Sequence, residues 1–301
     1  MQDSWPRIAV LGAGAVGSYF GGMLARAGAP VTLIGRPRHV EAVTQHGLFI
    51  DSPNFQEHIP VLASISESAA READIVLLCV KTVDTENAAQ SLAPHLSTGA
   101  VVISLQNGVD NVERIHAASK IAAIPAVVYV AAAITAPGCI KHSGRGDLVI
   151  GSQPLIAAMF ARAGIPCRVS ENIEADLWTK MIMNCAYNAI SALGRAKYGR
   201  VVSNPWTREL MRQAGAEALA IARAAGVQLP DADMNAVVLR LAEAMPEAMS
   251  STAQDIARGN RTEIDSLDGY LVRRGAELGI ATPFNQTLHA LVKLLEESAK
   301  A

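Results

Sequence analysis

The sequence predicts a doubly wound parallel α/β domain followed by an all-α domain. Three observations carry that prediction. Through the first half, short and nearly continuous apolar runs alternate with helical stretches, as strands do when both faces of a parallel sheet are covered. The first run ends in a glycine-rich loop that opens a helix, inside a strand–helix–strand unit of about thirty residues, the size of a crossover. After about Ser170 the strand signals fade and helical periodicity takes over. A chain of 301 residues is also long enough for two domains at roughly 150 residues each. The expected domains are residues 1–170 and 171–301.

The elements follow in order. Arg7-Ile8-Ala9-Val10-Leu11 is an apolar run ending at a glycine, and residues 15–28 have helical composition. Val31-Thr32-Leu33-Ile34 is a second strand, and residues 75–80, 101–105 and 124–130 are three more. Residues 82–94 and 110–118 read as intervening helices. The weakly polar run 121–134 is interrupted by Pro125; it is too short to span a bilayer and reads as a buried strand. Residues 139–142 and 148–150 flank Gly144-Arg145-Gly146 and read as an antiparallel hairpin. Helices are expected over 172–196, 205–226, 230–258, 262–278 and 284–299, with Gly226, Gly259 and Gly279 as stops and Pro230 and Pro283 as starts.

Composition narrows the function. Lys+Arg total 26 against 28 Asp+Glu, a net charge of −2, which argues against a nucleic-acid or membrane partner. Hydrophobic residues at 50% and charged residues at 18% describe a compact globular chain. Aromatics are only 4%, so the core must come largely from Ala, Val, Leu and Ile. Cys79, Cys139, Cys167 and Cys185 are widely spaced and read as reduced thiols of a cytoplasmic protein. The seven histidines lack metal-ligand spacing, so no metal is expected. Residues 1–7 lack the basic and apolar pattern of a signal peptide. Ser250-Ser251 lacks a G-x-S-x-G context, which argues against a serine hydrolase. The Ala-rich helices of the second half would serve a homodimer interface or an intramolecular core equally well.

Gly12-Ala13-Gly14-Ala15-Val16-Gly17 fits G-x-G-x-x-G in its required context, after a strand and at a helix start. Gly12 permits the turn, Gly14 lets the backbone approach a pyrophosphate, and Gly17 lets the helix pack on the strand. Free N–H groups at the helix start would hold the phosphate. The second strand ends in Gly35-Arg36 where an acidic residue would select NAD. Arg36 therefore predicts NADP, assisted by Arg38 and His39. Lys81 and Asn107 each follow a strand, at the carboxyl ends where such sheets bind ligands, in the cleft between the domains. Gln106-Asn107-Gly108 is also a plain turn signal. Lys180, Asn184 and Asn188 are spaced to stack along one helical face among apolar neighbours. Both a structural network and a lysine general acid with two substrate-orienting amides fit that stripe. Glu263 and Asp265 look like first-turn acids that the helix dipole alone would favour.

Together these motifs resemble the ketopantoate reductases (2-dehydropantoate 2-reductases) over essentially the whole chain. The matching pieces are the glycine loop, Cys79-Val80-Lys81-Thr82, Leu105-Gln106-Asn107-Gly108-Val109, and Trp178-Thr179-Lys180 with Asn184 and Asn188. Ser250-Ser251 with Gln254-Asp255, Thr262-Glu263-Ile264-Asp265, and Gly279-Ile280-Ala281-Thr282-Pro283 complete the set. The resemblance implies a Rossmann-type NADP-binding domain over 1–170 and an all-helical substrate and catalytic domain over 171–301. It implies NADPH-dependent reduction of a small 2-keto acid, ketopantoate to pantoate, as in pantothenate and coenzyme A biosynthesis. Lys180 matches the general acid and Glu263 the residue holding the reacting oxygen and its network. Asn184, Asn188 and Ser251 match substrate-binding positions. Lys81 and Asn107 match positions near nicotinamide and substrate, and Arg36 the residue at the 2′-phosphate. One departure stands out: some members carry a substrate-contacting asparagine where this chain has Tyr198. A phenol there leaves open a different branched or aromatic 2-keto acid. A non-catalytic NADP-binding sensor on the same scaffold would have no need for the Lys180, Asn184, Asn188 and Glu263 set.

Overall fold

The computed structural model describes residues 4–298, so the first residues of the 1–7 stretch and the end of the expected 284–299 helix lie outside the described residues. The chain divides into two compact units, one ending at Ile173 and the next beginning at Glu174.

The first unit opens with β1 (Ile8–Leu11), α1 (Ala15–Arg26), β2 (Val31–Ile34), α2 (Pro37–His46), β3 (Leu48–Ser52), β4 (Phe55–Ile59) and β5 (Leu62–Ser64). It continues with β6 (Ile75–Leu78), α3 (Thr85–Leu92), β7 (Val101–Ser104), α4 (Asn111–Ser119), β8 (Ala123–Ala136), β9 (Cys139–Ile150), α5 (Pro154–Arg162) and β10 (Cys167–Val169). The strands form one sheet in the order β4-β3-β9-β8-β7-β6-β1-β2-β5, with β10 beside β9. From β5 through β2, β1, β6 and β7 to the start of β8 all pairings are parallel. The chain leaves β1 towards β2 and returns on its other side at β6, so the switch point falls between β1 and β6.

The apolar runs explain this layer. Side chains alternate across a strand, and here both faces are covered. Ile8, Val10, Leu33, Leu77 and Ile103 join Phe20 and Leu24 of α1 and Phe160 of α5 in one cluster. Ala9, Leu11, Val76, Leu78 and Val102 join Ala89, Leu92 and Ile115 of α3 and α4 in the other. Each fully buried Leu, Ile or Phe contributes roughly 1.5–3 kcal/mol, and Ala, Val, Ile, Leu and Phe, with Tyr19 and Met23 of α1, make up most of both faces.

The hairpin differs from the expected one. β8 and β9 pair antiparallel from Ala126↔Ile150 outward, and the reversal lies at Pro137-Gly138, with Gly138 at φ +73°. Gly144-Arg145-Gly146 is not the turn; it lies inside β9, where the register shifts opposite Tyr129–Val130 and Arg145 takes φ +55°. Two glycines and a left-handed arginine make an irregular bulge there, which resembles a turn in sequence. The strands β3, β4, β5 and β10 extend the sheet beyond the predicted ones.

The second unit is helical: α6 (Ile173–Gly194), α7 (Tyr198–Ser203), α8 (Pro205–Ala224), α9 (Met234–Ala244), α10 (Ser251–Ala257), α11 (Asp268–Leu278) and α12 (Pro283–Ser298). Asn204 caps α8 by accepting from the Trp206 and Thr207 N–H groups, with Pro205 in the first turn. The start of α12 is held differently. The Glu217 carboxylate of α8 accepts from the N–H groups of Phe284 and Asn285, each at 2.9 Å. The single helix expected over 230–258 is two, because Pro246 interrupts it and Ser250 caps a fresh start. Among the described residues no helix is long and apolar enough to cross a membrane.

Candidate active site

The glycine loop lies at the switch point of the sheet. Gly12 has φ +102°, and a Cβ on it would stand 2.6 Å from the Val80 nitrogen. Glycine is thus required twice, for the dihedral and for the approach of the loop that follows β6. A Cβ on Gly17 would stand 2.2 Å from the Gly12 carbonyl oxygen, so α1 seats directly on the turn. The N–H groups of Gly12 and Ala13 both donate inward, to the Ile34 oxygen at 2.9 Å. Gly14 is unlike its neighbours: its φ is −80°, and a Cβ there would meet nothing within 4 Å. α1 also lacks a side-chain cap and has no acidic residue in its first turn. The N–H groups of Ala15, Val16 and Gly17 form the positive end of the helix dipole, next to the open space at Gly14. That arrangement fits a phosphate.

Arg36 is exposed and precedes α2, directly after Gly35 at the end of β2, and Arg38 is exposed beside it. His39 departs from the sequence reading. It is buried, contacts Ser18 Oγ through Nε2 at 3.2 Å, and accepts the Gly138 N–H at Nδ1 at 3.2 Å. A ring accepting at Nδ1 carries its proton on Nε2, which donates to Ser18. Burial pushes its pKa down. His39 is a neutral tie between α1, α2 and the hairpin turn, not an anion ligand.

Lys81 and Asn107 lie on the loops after β6 and β7, both half-buried. Their loops are joined through Gln106, which sequence reasoning passed over as a turn residue. Its buried amide donates to the Val80 oxygen at 3.1 Å and to Thr85 Oγ1 at 2.7 Å, and accepts from Ser104 Oγ at 2.8 Å. The Asn107 carbonyl accepts from Thr82 Oγ1 at 2.9 Å and Asn111 Nδ2 at 2.7 Å. Thr85 closes the set by donating to Asn111 Oδ1 at 3.2 Å. A buried network satisfied in this way holds both loops in one arrangement. The structure thus brings Lys81 and Asn107 beside the glycine loop at the carboxyl ends of β1, β6 and β7.

In the second unit, Lys180, Asn184 and Asn188 fall on successive turns of α6, with Lys180 and Asn184 half-buried and Asn188 buried. Among the described residues the side-chain amides of Asn184 and Asn188 have no hydrogen-bond partner. Ser251 is the exposed first residue of α10, and the Ser250 hydroxyl before it donates to the Asn188 carbonyl at 3.0 Å. Glu263 is half-buried and opens a 3-10 turn over 264–266, its carbonyl accepting from Ser266 and Leu267. Trp178 of α6 packs on Tyr270 of α11, ring centroids 6.1 Å apart. Asp265 has a different duty from a first-turn acid. It accepts from His289 Nε2 at 2.8 Å and Lys293 Nζ at 2.9 Å on α12. Although burial alone would raise it, those partners hold its pKa down at about 2. Tyr198 packs on the buried Tyr187 ring at 4.6 Å, and burial pushes its phenol well up, so it is neutral. Among the described residues no group of His, Cys, Asp and Glu is placed to hold a metal.

Comparison with known proteins adds to this geometry. Residues 8–154 match the model of the ketopantoate reductase PanE/ApbA family, and residues 172–296 match its C-terminal domain. The 2-dehydropantoate 2-reductase of Pyrococcus horikoshii is 34% identical over 299 residues, covering 96% of this chain and 97% of that protein. The PanE/ApbA family ketopantoate reductase of Ralstonia eutropha JMP134 has a crystal structure 48% identical in sequence, with TM-score 0.93 and coverage of 98% and 100%. A ternary structure of D-mandelate dehydrogenase with NADH and anilino(oxo)acetate shares the fold at TM-score 0.91 and 23% identity, with coverage of 98% and 100%.

Proposed function

The chain belongs to the ketopantoate reductase PanE/ApbA family, and on that premise we propose that it reduces 2-dehydropantoate (ketopantoate) to pantoate with NADPH, the step used in pantothenate and coenzyme A biosynthesis. The observation that carries this reading is the stripe on α6. Lys180 shares a helical face with two amides that lack protein partners, and Ser251 follows a residue bonded to the same helix. A half-buried cation with idle amides beside it is an expensive arrangement for structure alone. It suits a small, oxygen-rich anion.

The first unit would hold the cofactor. The first-turn N–H groups of α1 would hold the pyrophosphate at Gly14, Arg36 would pair with the 2′-phosphate, and Lys81 and Asn107 would serve the nicotinamide end. NADPH, when bound, supplies the hydride. The residues of the second unit do the rest. Asn184, Asn188 and Ser251 orient the 2-keto acid, and Glu263 holds the reacting oxygen and the network around it. The Lys180 ammonium stabilises negative charge on that oxygen and delivers its proton there.

Tyr198 favours a second reading within the same chemistry. A neutral phenol backed by a buried ring is flatter and more apolar than an amide, which suits a branched or aromatic acyl group. One assay separates the two: loss of NADPH absorbance against a panel of 2-keto acids, repeated with NADH. Preference for ketopantoate supports the first reading. Preference for an aromatic acid keeps the mechanism and moves the substrate. Binding of NADPH with no turnover of any acid points to a sensor instead.

Two predictions test the cofactor half. Arg36→Ala raises the KM for NADPH by about 10–100-fold, the worth of a charged hydrogen bond, and leaves the KM for NADH unchanged. Equal losses with both cofactors would remove Arg36 from the 2′-phosphate. Gly14→Ala folds with an unshifted Tm, because its Cβ enters open space, yet weakens NADPH by about tenfold or more. Gly17→Ala, whose Cβ meets a backbone oxygen, instead lowers Tm by roughly 5 °C or more. Differential scanning fluorimetry with and without NADPH reads both.

A further inference from the structure

Ser250 was part of a sequence motif, yet only its neighbour Ser251 has a place in the proposed reaction. Its surroundings give it one. Ser250 and Ser191 are both fully buried, and both hydroxyls are hydrogen-bonded. The Ser250 hydroxyl accepts from the Ala253 N–H at 3.0 Å, capping α10, and donates to the Asn188 carbonyl at 3.0 Å. The Ser250 N–H donates to Ser191 Oγ at 3.2 Å, and Ser191 Oγ donates to the Ala196 carbonyl at 2.8 Å. Asn188 and Ser191 are one turn apart on α6, so both anchors lie on one face.

The rest of the approach is short and partly exposed. α10 has seven residues, too few to be stable by itself, and the segment before it carries Pro246 and exposed Glu247. Backbone bonds from Tyr198 to Ala248 and from Gly199 to Pro246 hold that segment to α7, short of α10. The two buried hydroxyls tie the residue before Ser251 directly to α6 at Asn188 and Ser191.

We propose that Ser250 and Ser191 are positioning residues, a two-hydroxyl latch that sets Ser251 at the spacing from Asn188 which a 2-keto acid needs. This rests on the functional reading above, which assigns Asn188 and Ser251 to the substrate. Neither latch residue touches substrate.

The test is a steady-state cycle on the full-length protein, with the 2-keto acid that the parent turns over best. Ser250→Ala and Ser191→Ala each raise the KM for that acid about tenfold, with kcat and the NADPH Kd within about twofold. Ser251→Ala costs about tenfold in the parent, and less than about threefold once Ser250 is Ala, because a contact held at the wrong distance has little left to lose. A role confined to stability would not produce that coupling. Ser191→Ala leaves the α10 cap intact and carries the test if Ser250→Ala fails to fold. An unchanged KM in the latch variants, or an equal Ser251→Ala penalty in both backgrounds, overturns the latch while the functional reading stands. A parent without turnover on any 2-keto acid overturns the reading and the latch together.

Discussion

Lys180→Ala should lower kcat for 2-keto acid reduction by about 10³-fold and leave NADPH affinity unchanged. The size follows from two losses at one atom. The developing negative charge on the substrate oxygen loses its cation, and the proton loses its donor. The affinity follows from placement, because Lys180 is carried by α6 of the second unit while the proposed phosphate contacts lie on α1 and Arg36. Lys180→Arg separates the two losses. Arginine keeps the charge but does not release a proton at neutral pH, so it should recover binding of the acid and little turnover. Added primary amines should restore part of the activity of Lys180→Ala and none of that of Lys180→Arg. Parent-like turnover in Lys180→Ala would sink the mechanism.

Asp268→Asn should stabilise the protein, and increasingly so as pH rises. Asp268 is fully buried at the start of α11, and neither carboxylate oxygen has a partner among the described residues. Burial pushes its pKa up to about 8, with the Glu217 charge adding to the rise. Cys185, likewise buried, is raised by the same surroundings and by both acids. The sign follows from linkage. A carboxyl whose folded value exceeds its unfolded value near 3.9 is most favourable when protonated. Its contribution is complete below about pH 4 and is lost progressively as pH climbs to about 8. Asparagine keeps the shape and carries no proton to lose. At pH 7 the gain is on the order of 4 kcal/mol, taking about 1.36 kcal/mol per unit. Urea unfolding at pH 5 and pH 8 reads it: the parent weakens between the two and the variant holds. An equal gap at both pH values would show that Asp268 is not the buried group that titrates.

The contrast between these residues shows what the chain discloses before it folds. β1, α1, β2 and the loop Gly12–Gly17 were legible because each rests on a local property: an apolar run, a glycine where a Cβ would collide, a helix start. The α6 stripe was legible because helical spacing alone puts Lys180, Asn184 and Asn188 on one face. Gln106 and His39 were not legible in the same way. Their meaning comes from partners 26 and 99 residues away, the Val80 oxygen and the Gly138 N–H. The short strands β3 to β5 are mixed in polarity, and β4 is exposed at three of its five positions, so no apolar run marks it. Gly144-Arg145-Gly146 was misread because a bulge and a turn use the same residues for the same dihedral reason.

The neutral His39 tie has one more consequence. Its burial disfavours the imidazolium, so the first unit loses stability as pH falls through the unfolded imidazole value of about 6.5. Asp268 places the opposite demand on the second unit, because its buried carboxyl is favourable only while protonated. Falling pH weakens the tie between α1, α2 and the hairpin turn, while rising pH through neutrality charges a carboxyl buried inside the helices, so the two titrations pull stability in opposite directions.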